Sequence, residues 1–275
     1  MTIAGRDIPD PAWPAADKID TSRANAARRY NYWLGGKENF AADRISGDLI
    51  ANAYPTVKIS AVENWRFVHR IVPHLVLKYD VGQIIDVGTG FPVSPNVVEL
   101  AQSVDPRARI VCIDSDPMVM AHNRALIVGT HQGSVAHIEA DIRDPDAILN
   151  NSAMTKTLDL TKPVLLVVAA VLHFLSETDN PYGCLVKLVD GLPSGSYIVL
   201  THAGETFMTN NFDDADSYHG GFQARNRSQV AKFFDGLDMV DPGLVSVVDW
   251  LPDDEPQPLV AARDAAVYAG VARKP

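Results

Sequence analysis

Short apolar runs that alternate with helical patterns leave this chain few possible folds. Five such runs between residues 83 and 201 are rich in Val and Ile and lack the strict alternation of a half-exposed strand. Strands buried on both faces have this composition, and they occur in parallel sheets covered by helices. The predicted strands are residues 83–87, 109–113, 135–139, 164–169 and 196–201. Since the helical patterns between them satisfy the crossover that parallel strands need, the sequence predicts an α/β fold with a doubly wound, mostly parallel sheet.

Two further runs near the C-terminus predict a different pairing. Residues 244–250 and 266–272 both have the composition of strands, and a helix is predicted before them over 228–237. The segment that joins the two strands, 252–258, is rich in Pro and Asp and shows no helical pattern of crossover length. We therefore expect these two strands to pair antiparallel.

Three helices are predicted before the first strand, after an irregular Pro-containing arm over residues 1–19. They are predicted over Arg23 to Leu34, capped by Asp20, Thr21 or Ser22, and over 41–53 and 58–78. We therefore divide the chain into an N-terminal arm and helical extension, residues 1–80, and a sheet domain, residues 81–275.

Composition excludes several classes of function. The net charge is -10, from 24 basic and 34 acidic residues, which is opposite to what a phosphate backbone requires, so no nucleic-acid partner is expected. No apolar run approaches the roughly 18–20 residues of a membrane span, and the first 20 residues lack the apolar stretch of a signal peptide. We expect a cytoplasmic protein without a membrane partner. Cys112 and Cys184 show no metal-ligand spacing, so no metal site is predicted.

The strongest local signal is a glycine turn at the end of the first predicted strand. Residues 84–92 read Ile-Ile-Asp-Val-Gly-Thr-Gly-Phe-Pro, and a helix is predicted to begin near Pro95. Glycine at positions 88 and 90 lets the backbone approach a ligand closely. A Gly-x-Gly turn alone is weak evidence, because turn glycines without any ligand are common.

Acidic residues follow the next two predicted strands. Asp114 lies where the two hydroxyl groups of an adenosine ribose would be bound in a fold of this kind. Asp141 follows the third strand and could accept a hydrogen bond from an adenine amine. Each residue has an alternative role, Asp114 as the cap of the helix that begins at Asp116-Pro117 and Asp141 as a loop or capping residue. Because the carboxyl ends of parallel strands meet at one edge of the sheet, adenosine recognition explains both positions together.

A nicotinamide dinucleotide is the competing ligand. Its fingerprint requires a third small residue where this sequence has Val93, and Pro92 and Pro95 crowd the same turn. These departures disfavour a pyrophosphate-binding turn, although the fold alone does not exclude it.

Three of these segments resemble successive motifs of the class I S-adenosylmethionine-dependent methyltransferases. They are Asp86-Val-Gly-Thr-Gly, Cys112-Ile-Asp-Ser-Asp-Pro and Glu139-Ala-Asp-Ile-Arg. More narrowly, residues 27–44, with Arg-Tyr-Asn-Tyr-Trp-Leu-Gly-Gly-Lys-Glu-Asn-Phe-Ala-Ala-Asp, and residues 163–175 resemble a bacterial family of candidate S-adenosylmethionine methyltransferases with unassigned substrates. The resemblance covers roughly residues 20–202 and implies a Rossmann-like, seven-stranded sheet with an antiparallel last strand.

The resemblance also implies S-adenosylmethionine as cofactor and assigns the residues that bind it. Gly88 and Gly90 would pass under its methionine part, and Asp86 would orient its amino group. Asp114 would hold the ribose, and Asp141 and Ile142 would meet the adenine. Thr89, Ser115, Ala169 and Ala170 complete the predicted cofactor site.

The N-terminal extension is expected to cover this site. Five side chains near the first helix could fold over the cofactor, and ordinary surface positions are the alternative. They are Arg23, Arg28, Tyr30, Tyr32 and Asn39.

The sequence gives fewer indications of the methyl acceptor. The Asn-Pro-Pro-Tyr motif of enzymes that modify exocyclic or glutamine amides is missing after the fourth strand, where Ala169-Ala-Val-Leu stands. His173 is the predicted general base for a hydroxyl acceptor, and a packed histidine at a helix start is the alternative. The polar loop 203–226 could select a polar acceptor or, more weakly, a divalent metal, although most such runs are solvated loops.

The predicted function is therefore methyl transfer from S-adenosylmethionine to an unidentified small-molecule acceptor, by a chain that is compatible with a homodimer. One alternative is a non-catalytic S-adenosylmethionine-binding protein that acts as a sensor or partner subunit. The other is a nicotinamide-dependent oxidoreductase.

Overall fold

A computed structural model describes residues 20–205, 222–250 and 259–275. The predicted arm, most of the polar loop and the Pro-rich connection near the C-terminus lie outside the described residues. No helix in the described ranges is long and apolar enough to span a bilayer.

A mixed sheet of eight strands forms the centre of the described structure. The strand order is β3-β2-β1-β4-β5-β8-β6, and β7 also pairs with β8. The pairs among β1 to β5 are parallel, whereas β8 runs antiparallel to β5, β6 and β7. The strands are β1 Gln83–Val87, β2 Arg109–Asp114, β3 Ser134–Glu139, β4 Leu165–Ala169, β5 Tyr197–Ala203, β6 Asp238–Met239, β7 Val245–Ser246 and β8 Val267–Arg273. The predicted fold class is confirmed, with the predicted antiparallel last strand.

The C-terminal part differs from the prediction in detail. The expected strand over 244–250 shrinks to the two residues of β7, and Asp238–Met239 form a short strand that the sequence did not indicate, so the sheet has eight strands instead of seven. The expected helix over 228–237 ends early, because a 3₁₀ turn follows it and Gly236 adopts a left-handed backbone with φ of +78°. Elements this short carry too little periodicity to be read from sequence.

Helices cover both faces of the sheet. Neighbouring residues of β1 enter different cores, since Ile84 packs with Ile110 and Leu165 on one face and Ile85 packs with Leu166 on the other. The helices that follow β1 are α4 Val97–Val104, α5 Pro117–Leu126, α6 Pro145–Leu149, α7 Ser152–Thr157, α8 Pro181–Asp190, α9 Arg227–Ala231 and α10 Ala262–Ala265. The doubly wound arrangement leaves the carboxyl ends of the strands open to a ligand.

Within residues 20–82, three helices precede the sheet, as predicted: α1 Ala26–Trp33, α2 Ala41–Ala53 and α3 Val57–Tyr79. The first one begins later than expected, because the Asn25 side chain accepts hydrogen bonds from the backbone of Ala27 and Arg28, whereas Asp20 bonds to Ser22. α3 packs on the sheet, and its residues Phe67, Ile71 and Leu75 belong to the same core as Ile84. The boundary proposed at residue 80 stays a prediction.

Candidate active site

The glycine turn after β1 is held against the end of β2. The N–H groups of Gly88 and Thr89 donate to the Ile113 carbonyl at 2.8 and 3.0 Å. Gly88 and Gly90 have φ values of +71° and +65°, a left-handed backbone that favours glycine. A Cβ at Gly88 would lie 2.3 Å from Cγ2 of Val171, whereas a Cβ at Gly90 would meet only the Gly88 carbonyl, at 4.0 Å. The turn therefore needs glycine at 88 for packing, and at 90 it leaves open space at the strand end.

Asp114 fixes the far side of this turn. Its Oδ2 accepts a hydrogen bond from Gly90 N–H at 3.0 Å, and its Oδ1 accepts one from Asp116 N–H at 2.9 Å. Each carboxylate oxygen has a second lone pair, so these bonds leave acceptor capacity for a ligand. The cap of the following helix is Asp116, whose side chain bonds to Met118 and Val119, so the capping alternative for Asp114 is not what the structure shows.

Two acidic groups lie close together at this edge. The pKa of Asp86 is raised to about 6, mainly by burial and also by the nearby charge of Asp114, while a hydrogen bond with the Thr89 side chain opposes the shift. Burial also raises the pKa of Asp114 to about 6, against the hydrogen bonds from Asp116 and Gly90. Two carboxyl groups at one strand edge, buried Asp86 and partly buried Asp114, favour a ligand that carries positive charge.

The end of β3 carries an ion pair. Arg143 donates to both oxygens of Asp141, from Nε at 3.0 Å and from Nη2 at 2.6 Å, and its Nη1 lies 3.7 Å from Asp179. The hydrogen bond from Arg143 holds the pKa of Asp141 below its usual value. Ile142, which stands between Asp141 and Arg143 in the sequence, is buried. Arg143 thus orients the Asp141 carboxylate, which was predicted to accept a hydrogen bond from the adenine amine.

A chain of hydrogen bonds joins the end of β4 to the N-terminal helices. Ala170, with φ of +58°, donates its N–H to Thr201 Oγ1 at 2.8 Å, and Thr201 donates to Asn64 Oδ1 at 2.6 Å. Asn64 Nδ2 donates to the Tyr30 hydroxyl at 2.9 Å, and that hydroxyl donates to the Ala61 carbonyl at 2.8 Å. These four bonds attach α1 and α3 to the sheet where β4 ends.

These elements enclose a cavity of about 300 Å³, the first cavity. All ten residues predicted to bind the cofactor line it: Asp86, Gly88, Thr89, Gly90, Asp114, Ser115, Asp141, Ile142, Ala169 and Ala170. A volume of this size lies at the lower end of the range for small-molecule sites. The sequence motifs thus converge on one cavity at the carboxyl edge of the sheet.

The N-terminal helices supply further lining residues that the sequence did not reveal. Asn31, Asn64, Trp65 and His69 line the first cavity beside Tyr30. His69 Nε2 is buried and has no hydrogen-bond partner among the described residues. Burial lowers the pKa of His69, so its ring favours the neutral form. Long-range packing places these side chains at the strand ends, and no local motif signals it.

Five side chains were expected to fold over the site. Among the described residues that line the first cavity, Tyr30 is the only one of these five. Arg28 instead forms a buried ion pair with Asp43, at 3.1 Å, and the Tyr32 hydroxyl donates to Asp48. Asn39 donates to the side chain of Asn31 and to the Gly36 carbonyl. Most of this signature therefore holds α1 and α2 together.

His173 lies in a different place from the predicted cofactor residues. It lines a second cavity, of about 80 Å³, which adjoins the first and shares Ala26, Tyr30, Asn64, Ala170 and Phe174 with it. Its Nδ1 accepts a hydrogen bond from the N–H of Ala203 at 3.3 Å.

A buried hydrogen-bond network holds the backbone that bonds to His173. Arg225 has no exposed surface and donates to Glu177 Oε1 at 3.0 Å and to His202 Nε2 at 2.9 Å. His202 Nδ1 donates to the Ala203 carbonyl at 2.8 Å, and burial lowers the pKa of His202 to about 3. The network thereby holds the carbonyl of Ala203, the residue whose N–H bonds to His173.

Comparisons with known proteins identify the family of this chain. A model of the S-adenosyl methyltransferase family matches residues 12–275. A DUF574 family protein from Streptomyces avermitilis is 36% identical, with a TM-score of 0.89 over 93% of this chain and 99% of that chain. A candidate methyltransferase from Thermobifida fusca is 33% identical, with a TM-score of 0.84 over 96% of this chain and 99% of that chain. The comparison with curated proteins found no match.

A more distant structure shows the fold alone. The plantazolicin methyltransferase BamL, in complex with a triazolic desmethylPZN analog and SAH, is 10% identical, with a TM-score of 0.51 over 90% of this chain and 95% of that chain. The family match over nearly the whole chain identifies a methyltransferase and gives no support to the nicotinamide alternative. The chain belongs to the S-adenosyl methyltransferase family and is an enzyme whose methyl donor is S-adenosylmethionine.

Proposed function

We propose that this enzyme methylates a small molecule and that the first cavity holds its cofactor. The observation that carries the proposal is the convergence of the strand-end carboxylates and the glycine turn on a single cavity. The net charge of -10 and the acidic strand edge both oppose a nucleic-acid acceptor.

The residues present fit S-adenosylmethionine. Its sulfonium and ammonium groups are positively charged, and Asp86 and Asp114 supply negative charge at the strand edge. The open space beside Gly90 allows a ligand to approach the backbone closely. His69 Nε2, buried without a partner among the described residues, offers a hydrogen-bonding nitrogen to a ligand in the cavity.

We assign the binding roles as the motifs suggest. Asp114 and Ser115 hold the ribose, and Asp141 and Ile142 contact the adenine. Gly88, Thr89 and Gly90 pass under the methionine part, whose ammonium Asp86 orients, and Ala169 and Ala170 close the side toward β4. These residues stand on strand ends and on a hydrogen-bonded turn, so the site is preorganised, which lowers the free-energy cost of binding.

The cofactor supplies a methyl group on a sulfonium, and attack by the acceptor's lone pair forms the new bond while the electrons of the carbon–sulfur bond return to sulfur. Alignment of the acceptor with this methyl group is the largest contribution that the protein can make. The four-bond chain from Ala170 to Ala61 provides rigidity where the two cavities meet.

His173 is proposed to contact the acceptor. Because Ala203 N–H donates to Nδ1, the neutral ring carries its proton on Nε2, and in this form the ring donates a hydrogen bond. We therefore favour a role in which His173 orients an acceptor oxygen. The general-base role stays a prediction, and it requires Nδ1 to release the backbone bond. The cytoplasmic location and the homodimer also stay predictions.

A turnover assay on fractionated bacterial extract tests the class of acceptor. Purified protein is incubated with S-adenosylmethionine and either the small-molecule filtrate or the macromolecular fraction, and S-adenosylhomocysteine is measured by mass spectrometry. We expect product with the filtrate, at a rate that falls in Asp114→Asn.

The matched control is Asp190→Asn, which changes an exposed carboxylate at the end of α8 and should leave the rate unchanged. Product formed only with the macromolecular fraction would refute a small-molecule acceptor. Binding of the cofactor without turnover in either fraction would support the non-catalytic alternative instead.

A further inference from the structure

The second cavity is walled mainly by apolar and aromatic side chains. α1 and the turn between α2 and α3 supply Trp33 and Tyr54, and the lining also includes Phe174, Phe222 and His173. The centre of the Phe222 ring lies 5.2 Å from that of His173. Flat aromatic walls of this kind favour an aromatic ring as the occupant.

The hydroxyl and indole groups in these walls have partners within the protein. The Tyr54 hydroxyl and Ser60 Oγ are hydrogen-bonded to each other at 2.9 Å, and Trp33 Nε1 donates to the Gly47 carbonyl at 3.3 Å. The Tyr30 hydroxyl donates to Ala61 and accepts from Asn64. A polar occupant would therefore lose its water without gaining equivalent hydrogen bonds from these groups.

Charge distinguishes an uncharged ring from an amine. None of the described residues that line the second cavity carries a carboxylate, and the buried guanidinium of Arg29 lies in its wall. Aromatic walls can also bind ammonium groups, but a neighbouring cation opposes such binding. The cavity therefore disfavours a cationic occupant such as an amine.

The size and position of the second cavity limit how much of an occupant it can hold. The volume of about 80 Å³ is smaller than the roughly 150 Å³ of an apolar cavity that binds benzene. It suffices for part of a single ring whose reacting edge remains at the wall shared with the first cavity. That wall contains Ala26, Tyr30, Asn64, Ala170 and Phe174.

We propose that the second cavity is the acceptor subsite and that it takes an uncharged aromatic ring bearing the hydroxyl to be methylated. The ring lies between Trp33, Tyr54 and Phe222, and its hydroxyl points toward Ala170 and the first cavity. Transfer forms the oxygen–methyl bond, breaks the carbon–sulfur bond with its electrons going to sulfur, and releases the hydroxyl proton to water. This assignment rests on the proposed function, since it takes the first cavity as the cofactor site.

Fragment binding to the protein saturated with S-adenosylhomocysteine tests the proposal. Phenol is the uncharged probe and benzylamine, protonated at neutral pH, is the cationic one, and saturation-transfer NMR titrations measure both. We expect phenol to bind more tightly than benzylamine. Ala61→Leu places a larger side chain in the second cavity and should weaken phenol binding at least about tenfold, since the cavity has little spare volume.

Two comparisons keep the outcome interpretable. Ala231→Leu, at an exposed position of α9, should leave phenol binding unchanged, and Ala61→Leu should bind S-adenosylhomocysteine like the unaltered protein because Ala61 does not line the first cavity. Trp33→Ala enlarges the cavity and should shift preference from phenol toward 2-naphthol. Equal phenol binding in Ala61→Leu, or tighter binding of benzylamine, would overturn this proposal alone. Failure of the unaltered protein to bind S-adenosylhomocysteine would instead refute the proposed function.

Discussion

Asp114 shows how one side chain can serve both the fold and a ligand. It accepts one backbone hydrogen bond on each oxygen, from Gly90 and from Asp116, and so locks the glycine turn to the start of α5. The same carboxylate faces the first cavity. A ligand hydroxyl therefore meets an acceptor that is already oriented.

The raised pKa values of Asp86 and Asp114 predict a pH dependence of cofactor affinity. Both carboxyls, with pKa values of about 6, gain protons as the pH falls through that range, which removes negative charge from the site. The affinity for S-adenosylmethionine should therefore rise between about pH 5 and about pH 7.5, with proton release on binding near pH 6. Calorimetric titrations in two buffers of different ionisation enthalpy measure both effects.

S-adenosylhomocysteine is the matched ligand, because it lacks the sulfonium charge and should show a weaker dependence. The stability of the unliganded protein should change with pH in the opposite direction to the affinity. Because the carboxyl pKa values are raised in the folded protein, the free energy of unfolding falls as the pH rises from about 4 through about 6. An affinity for S-adenosylmethionine that stays constant over this range would show that neither carboxyl interacts with the cofactor's charge.

The turn between β1 and α4 depends on one close contact. In Gly88→Ala the new methyl group would meet Val171 at 2.3 Å, and we expect a loss of stability of about 1–3 kcal/mol beyond the backbone cost. Gly236→Ala is the control, because Gly236 also has a positive φ but has nothing within 4 Å of the position of a Cβ. Urea unfolding of both variants isolates the steric part. Equal losses in the two variants would mean that Val171 moves aside at little cost.

The contact between the N-terminal helices and β5 depends on the Thr201 hydroxyl. Thr201→Val keeps the shape of the side chain but leaves Ala170 N–H and Asn64 Oδ1 without this partner, so a loss of about 1–3 kcal/mol is expected in urea unfolding. Affinity for S-adenosylhomocysteine should fall as well, because both cavities share this wall. Thr155→Val, at an exposed position of α7, serves as the comparison. Unchanged stability in Thr201→Val would show that water replaces the hydroxyl.

His202 makes the stability of the whole protein sensitive to acid. Burial lowers its pKa to about 3, so in the folded protein it stays neutral while in the unfolded chain it takes up a proton below about pH 6.5. The free energy of unfolding should therefore fall, relative to that of His202→Gln, as the pH drops from about 7 to about 4. Urea titrations across this range measure the difference. A difference that does not change with pH would indicate that the folded protein also protonates His202.

The parts of the molecule that the sequence predicted are those with a local signal. Buried strands β1 to β5 show as Val- and Ile-rich runs, and the residues that line the first cavity from the sheet follow strand ends, where Gly88, Gly90, Asp114 and Asp141 mark their positions. α1 and α3 form another wall of the same cavity, and no local sequence pattern predicted that wall. Tyr30 was proposed as a cover, but Asn64 and His69 reach the strand ends only through helix packing.

Short-range patterns also miss how separate elements combine. β6 and β7 have two residues each, and they exist because β8 offers them an edge to pair with. His173 follows β4 in sequence and yet faces a different cavity from Ala169, because a 3₁₀ turn begins at Leu172 and redirects the chain. The hydrogen bond that sets its tautomer comes from β5, which no motif near His173 announces.

Calorimetric titration with S-adenosylhomocysteine, with NAD as the comparison ligand, tests most directly whether the first cavity is a cofactor site held by Asp114. We expect binding in the micromolar range by the unaltered protein, a loss of about tenfold to a hundredfold in Asp114→Asn, and no binding of NAD. Absence of S-adenosylhomocysteine binding, binding of NAD, or equal affinity in Asp114→Asn would contradict the assignment.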